Sequence, residues 1–265
     1  MILFKNYNLH VTMADKLANC MRVNPDAACR IFCFPWAGGG SIFYAKWGSK
    51  VPADIEVCSL RYPGRENRFR EQSYTSQTAL VNDITTNLLP LFKEKPFVFF
   101  GHSLGAVVSF EVARNLKEMY GIEPKHLVVS GANAPHSVKW KDHPARSCSQ
   151  MGDDEFIAYL GKLGGTPKEV LQNREMMKIF LPSLRADYGI IEKYEYTLPE
   201  SGSQLICPVS VVNGSEDRAK DIDAWSEVTT GPFKKQILPG GHFHFIGNSA
   251  NEEQLLKFIT DSCIN

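Results

Sequence analysis

The sequence has no excess of charge of either sign. Its 265 residues carry 29 Lys+Arg against 29 Asp+Glu, a formal net charge of zero. A general nucleic-acid binder carries a basic excess, so that class is excluded, although a local charged patch is not. Long apolar runs are also missing. Stretches such as Phe97-Val98-Phe99-Phe100 fall far short of the ~18–20 residues that span a bilayer. Met1-Ile2-Leu3-Phe4 gives way at once to Lys5, Asn6, Asn8 and His10, which leaves no apolar core of ~7–15 residues for a secretory signal. There are 7 cysteines, an odd count, with no CxxC pair. Cys29, Cys33, Cys58 and Cys207 lie in or beside apolar strand-like runs, where cysteine acts as a small hydrophobe. That pattern points to a reducing compartment and a cytosolic protein. No internal repeat or low-complexity tract is present.

What is present is ordinary globular material. Hydrophobic residues make up 43% and charged residues 22%, and a chain of this length can bury a core without a metal or disulfide staple. Apolar runs bounded by turn residues fall at 30–34, 55–60, 97–100, 127–130 and 209–212, with a weaker one at 235–238. Helical patterns lie between them at 41–50, 77–93, 106–119, 222–229 and 252–259. Short continuous apolar strands alternating with helices predict an α/β fold with a mostly parallel sheet, helices covering both faces. The stretch 135–203 breaks this rhythm. It holds a polar loop, a helical pattern at 153–163, Gly164-Gly165-Thr166-Pro167, and further helical patterns through Tyr194. It reads as a helical lid insertion, in which Met176, Met177, Phe180 and Leu184 are candidates to line an apolar pocket; helically spaced apolar residues are more often plain core.

Gly101-His102-Ser103-Leu104-Gly105 follows an apolar run and precedes a helical one. Gly-x-Ser-x-Gly in a strand–turn–helix context is a nucleophile elbow. A serine hydroxyl is a weak nucleophile at neutral pH, so it needs a base, and the base needs an orienting acid. Those follow in the order acid, then histidine. Of the seven histidines, His242 and His244 are the C-terminal candidates, and Pro239-Gly240-Gly241 immediately before His242 favours it. Run 209–212 leads into Asn213-Gly214-Ser215-Glu216-Asp217, where Glu216 and Asp217 both qualify by position. An oxyanion hole takes two backbone N–H groups. Leu104, next to the nucleophile, supplies one. The other is expected from Ala37 in Pro35-Trp36-Ala37-Gly38-Gly39-Gly40-Ser41. That loop has neither the Lys-Ser/Thr of a P-loop nor a Gly-x-Gly-x-x-Gly pattern, so a nucleotide site is not expected.

These four motifs, with Leu60-Arg61-Tyr62-Pro63-Gly64-Arg65, Leu163-Gly164-Gly165-Thr166-Pro167 and Leu184-Arg185-Ala186-Asp187, give a chain that resembles the type II thioesterases over residues 28–259. Trp36, Ala45-Lys46-Trp47-Gly48 and Ala224-Trp225 look closest to the branch serving animal fatty acid synthase. The resemblance implies an α/β-hydrolase fold in one domain, with residues 1–27 as an N-terminal extension. It implies Ser103, Asp217 and His242 as a catalytic triad. It also implies hydrolysis of medium-chain fatty acyl thioesters on an acyl carrier protein, through an acyl-serine. No cofactor or metal is expected, and the protein is expected to be a monomer. Other readings are an editing thioesterase of a polyketide or non-ribosomal peptide synthase, a small carboxylesterase or lipase, and a carrier-protein-binding module without activity. Residues 61–71 carry four arginines against Glu66 and Glu71. Arg61, Arg65 and Arg68 are therefore candidates to dock an acidic carrier protein; a solvated loop with local ion pairs would look the same.

Overall fold

In the computed structural model, residues 12–141, 148–199, 204–219 and 221–264 are described. The six expected apolar runs are strands β2 (Cys29–Phe34), β3 (Ile55–Leu60), β4 (Phe97–His102), β5 (His126–Ser130), β6 (Val209–Gly214) and β7 (Phe233–Leu238). With a short β1 (Ala18–Asn19) they form a seven-stranded sheet in the order β1-β3-β2-β4-β5-β6-β7. Every pairing is parallel except β1 with β3.

The strands look uniformly apolar because both faces are covered, yet their side chains still alternate. Phe32, Phe34, Phe97, Phe99, Leu127 and Val129 point to one face. There they meet helices α3 (Gln77–Glu94) and α4 (Leu104–Tyr120). Ile31, Cys33, Val98, Phe100 and Val128 point to the other, against Tyr44, Trp47 and helix α9 (Ser249–Ile264). Edge strand β7 exposes Lys234 and Lys235, charges that discourage pairing with another chain.

Two predicted helices turn out tighter. Residues 41–50 form one α-turn, α2 (Ile42–Ala45), followed by a 3-10 turn at Lys46–Ser49, and Asp223–Val228 is also 3-10. Buried tryptophans anchor both: Trp47 Nε1 donates to Glu252 at 2.7 Å, and Trp225 Nε1 donates to the Ala132 carbonyl at 2.9 Å. Between β5 and β6, among the described residues, no strand of the sheet intervenes, and the α-helices there are α5 (Val138–Lys141), α6 (Asp153–Leu163), α7 (Lys168–Gln172) and α8 (Arg174–Lys193). Residues 142–147 and 200–203 of the predicted insertion lie outside the described residues.

The expected N-terminal extension is partly built into the sheet. Helix α1 (Met13–Leu17) leads into β1, which pairs Ala18 with Leu60 and Asn19 with Ser59. A two-residue strand leaves no periodic pattern to read. The next pair in that register brings Cys20 beside Cys58, and a disulfide joins them with a Cα–Cα distance of 4.3 Å. This corrects the reading of Cys58 as a simple hydrophobe and removes the cysteine argument for a reducing compartment. Among the described residues, no helix is long and apolar enough to cross a membrane.

His126 at the start of β5 shares a 2.7 Å hydrogen bond with Ser210 Oγ. Burial, with Lys234 nearby, pushes its pKa down to about 4 from 6.5. The unfolded chain therefore takes up this proton first as pH falls, and the contribution to stability is lost between pH 6.5 and about 4. The melting temperature should fall over that window, and His126→Gln should flatten the decline; an unchanged slope would contradict the assignment.

Candidate active site

The turn between β4 and α4 is a single residue. Ser103 has φ 57° and ψ −118°, a conformation costing roughly 1–3 kcal/mol for a residue with a side chain. The surroundings impose it. Ser103 N–H donates to the Ser130 carbonyl at 2.8 Å. Helix α4 comes so close that a Cβ on Gly101 would lie 2.1 Å from the Gly105 carbonyl oxygen. A Cβ on Gly105 would lie 2.0 Å from the Phe34 carbonyl oxygen. Both glycines of the motif are thus required by contact with backbone, which cannot move aside. Leu104, the first residue of α4, follows directly.

Asp217 lies in the turn after β6, is 1% exposed, and meets His242 Nδ1 at 3.0 Å through Oδ1 and 3.2 Å through Oδ2. Its Oδ1 also accepts the amides of Arg218 at 2.5 Å and Ala219 at 3.4 Å. Burial alone would push this carboxyl up. The hydrogen bond from His242, the histidine's charge and the two amides outweigh burial and hold it below the ordinary carboxylate range. Glu216, the positional rival, is exposed. His244, the rival base, is buried with neither ring nitrogen hydrogen-bonded among the described residues.

The His242 ring lies 4.8 Å, centroid to centroid, from His102, the residue before the nucleophile. Burial, with His242 and His244 nearby, pushes the His102 pKa well below its ordinary value. A neutral imidazole therefore flanks the elbow. Among the described residues, no hydrogen bond joins the Ser103 hydroxyl to His242, a contact that often tightens only when substrate binds.

Ala37 sits in the glycine loop after β2, and no hydrogen bond among the described residues takes up its N–H or that of Leu104. A cavity of about 230 Å³ runs between this loop and α8, lined by Trp36, Gly38, Met176, Met177, Phe180 and Leu184 among others. Met177 and Leu184 are buried, whereas Met176 and Phe180 are exposed. The four pocket candidates are thus brought together against the loop.

The arginine loop is not brought together as a docking surface. Arg65 and Arg68 are 8% and 2% exposed. Arg65 forms a two-pronged ion pair with Asp187 at 2.8 Å for each prong. Arg68 pairs with Glu71 and Asp83 and donates to the Arg61 carbonyl. Arg61 pairs with Glu66 and donates to the carbonyls of Asp15 and Lys16. Their charges are spent inside the fold, so the docking expectation is corrected: charge counting along a loop cannot see burial. Sequence reasoning also missed Glu66, whose carboxylate accepts the amides of Ser41 at 2.7 Å and Ile42 at 3.3 Å. In the sequence Asp187 stands out only as the last residue of Leu184-Arg185-Ala186-Asp187.

The thioesterase domain family matches residues 29–263. The medium-chain S-acyl fatty acid synthase thioesterase of Rattus norvegicus is 38% identical over 250 residues, covering 94% of this chain and 93% of that protein. The human protein of the same description is 40% identical over 248 residues, covering 94% and 92%. The solved structure of the type II thioesterase BorB from the borrelidin biosynthetic cluster superposes with a TM-score of 0.81 at 30% identity, covering 93% of this chain and 97% of that one. The sheet and its helices are the α/β-hydrolase fold.

The close approach at the elbow predicts that Gly105→Ala destabilises the protein by at least about 1–3 kcal/mol, the usual cost of overpacking. Urea unfolding checks this, and a neutral substitution would contradict the contact with Phe34.

Proposed function

This chain belongs to the thioesterase family, and we propose that it hydrolyses acyl thioesters through a covalent acyl-Ser103 intermediate. The observation that carries the reading is the buried Asp217–His242 hydrogen bond beside a strained, glycine-flanked Ser103. His242 takes the hydroxyl proton as Ser103 Oγ attacks the thioester carbonyl. The oxyanion is received by the Leu104 and Ala37 amides. The C–S bond then breaks, and His242 returns the proton to the departing thiolate. Water attacks the acyl-serine by the same route and releases the carboxylic acid. Asp217 stays ionised throughout, orienting His242 and stabilising its charged form.

The substrate we infer is a fatty acyl chain, of medium length, held on the phosphopantetheine of an acyl carrier protein of fatty acid synthase. The rat and human relatives are medium-chain fatty acid synthase thioesterases, which supports this class, and an apolar cavity walled by Met177, Phe180 and Leu184 suits a hydrocarbon chain. The helical segment between β5 and β6 then acts as the roof of the acyl site. A second reading, editing for a polyketide or peptide synthase, is favoured by the likeness, at a TM-score of 0.77 and 30% identity, to YbtT, a type II thioesterase from the yersiniabactin NRPS/PKS pathway. The same triad chemistry acts on oxygen esters, so the site alone does not choose the leaving group.

Ser103→Ala should abolish thioester hydrolysis while leaving the melting temperature near that of the wild type. Asp217→Asn should lower turnover by ~10⁴, because the amide favours the wrong imidazole tautomer. Acyl carrier protein thioesters should be turned over faster than oxygen esters of the same acyl chain. Near-normal turnover by Ser103→Ala would overturn the mechanism, and preference for the oxygen ester would overturn the substrate class.

A further inference from the structure

Asp187 takes no part in the chemistry above, yet this carboxylate on α8 is 3% exposed. Its Oδ2 accepts the Gly38 N–H at 2.8 Å and Arg65 Nη1 at 2.8 Å, and its Oδ1 accepts Arg65 Nη2 at 2.8 Å. Arg65 Nη1 also donates to the Gly39 carbonyl at 3.0 Å. Two consecutive residues of the glycine loop are therefore held through one buried ion pair. One turn earlier on α8, Leu184 presses on the same loop: a Cβ on Gly38, which has φ +78°, would lie 2.3 Å from Leu184 Cδ2.

We propose that Asp187 and Arg65 are positioning residues that fix the glycine loop so that the Ala37 N–H is left free and aimed at the oxyanion. The proposal builds on the acyl-serine reading and adds what keeps its second donor in place. A Gly-rich loop has many backbone conformations of similar energy, and an oxyanion hole works only if its donors need no reorganisation during reaction. Taking up the Gly38 N–H and the Gly39 carbonyl removes the two groups that could turn toward the substrate instead. A buried ion pair is a costly way to gain stability alone, since desolvation offsets much of its attraction. A planar two-pronged pair is, however, a good way to fix orientation.

The test compares wild type with Asp187→Asn and Arg65→Lys. Asparagine keeps an acceptor for Gly38 but loses the ion pair; lysine keeps the charge but loses the fork. Three quantities are read: kcat and KM on an acyl thioester, inhibition by the free fatty acid, and inhibition by the matching acyl trifluoromethyl ketone. That ketone adds to the nucleophile and places an oxyanion in the hole. Both variants should lose kcat by roughly 10–10²-fold, as expected for a displaced rather than deleted donor. Ketone affinity should fall in step with kcat/KM. KM, fatty acid inhibition and the pH midpoint of kcat/KM should stay at wild-type values. Should Asp187→Asn fail to fold, Arg65→Lys carries the same prediction. Variants that bind the ketone as tightly as wild type would overturn the clamp, as would fatty acid inhibition weakened in parallel with kcat. A wild-type protein indifferent to the ketone would instead overturn the acyl-serine reading itself.

Discussion

The contact between the start of α4 and the backbone of β2 is the constraint around which the molecule is arranged. With Gly105 lying against the Phe34 carbonyl, the chain has only Ser103 in which to turn from strand to helix. The turn therefore takes a left-handed conformation that a serine adopts only under compulsion. The compulsion comes from the core. Phe99 and Phe100 are buried on opposite faces of the sheet just before the turn, and α4 is buried along most of its first half just after it. Packing of both elements supplies the energy that holds the hydroxyl clear of the sheet.

Two buried carboxylates then divide the work at the sheet's carboxyl edge. Asp217 faces a histidine, and its hydrogen bonds with the ring and with two amides keep it ionised despite burial. Asp187 faces an arginine and the glycine loop. Aromatic contacts tie the two halves together, with Trp36 of the glycine loop meeting Phe243, next to His242, at 5.4 Å. Helix α8 joins the cavity beside the glycine loop to this frame, because its Met177, Leu184 and Asp187 recur at seven and three residues along one face. The wall of the cavity and the support of the loop are therefore one rigid element.

Much of this was legible from residue order alone. The six long strands follow from apolar runs bounded by turn residues, and the elbow from two glycines around a serine between a strand and a helix. The pairing of Asp217 rather than Glu216 with His242 is a matter of which side chain turns inward, which neighbouring positions in a turn do not reveal. Strand β1 was illegible because two residues carry no period, and the Cys20–Cys58 bond went unseen with it. The arginines of residues 61–68 were legible as a cluster but misread. Their partners, Asp187 above all, lie as far as 122 residues away along the chain, and charge patterning is a local signal. The pocket candidates could be named from helical spacing, but that α8 lies over the glycine loop is a tertiary fact.

Acylation of Ser103 during turnover is the step on which the proposed mechanism rests. Rapid quenching of the protein with an acyl thioester, followed by peptide mass spectrometry, tests it directly. A transient adduct of one acyl chain on the peptide bearing Ser103, formed at least as fast as product appears, is the expected result. Turnover without any adduct, or an adduct on another residue that forms and decays at the catalytic rate, would contradict it.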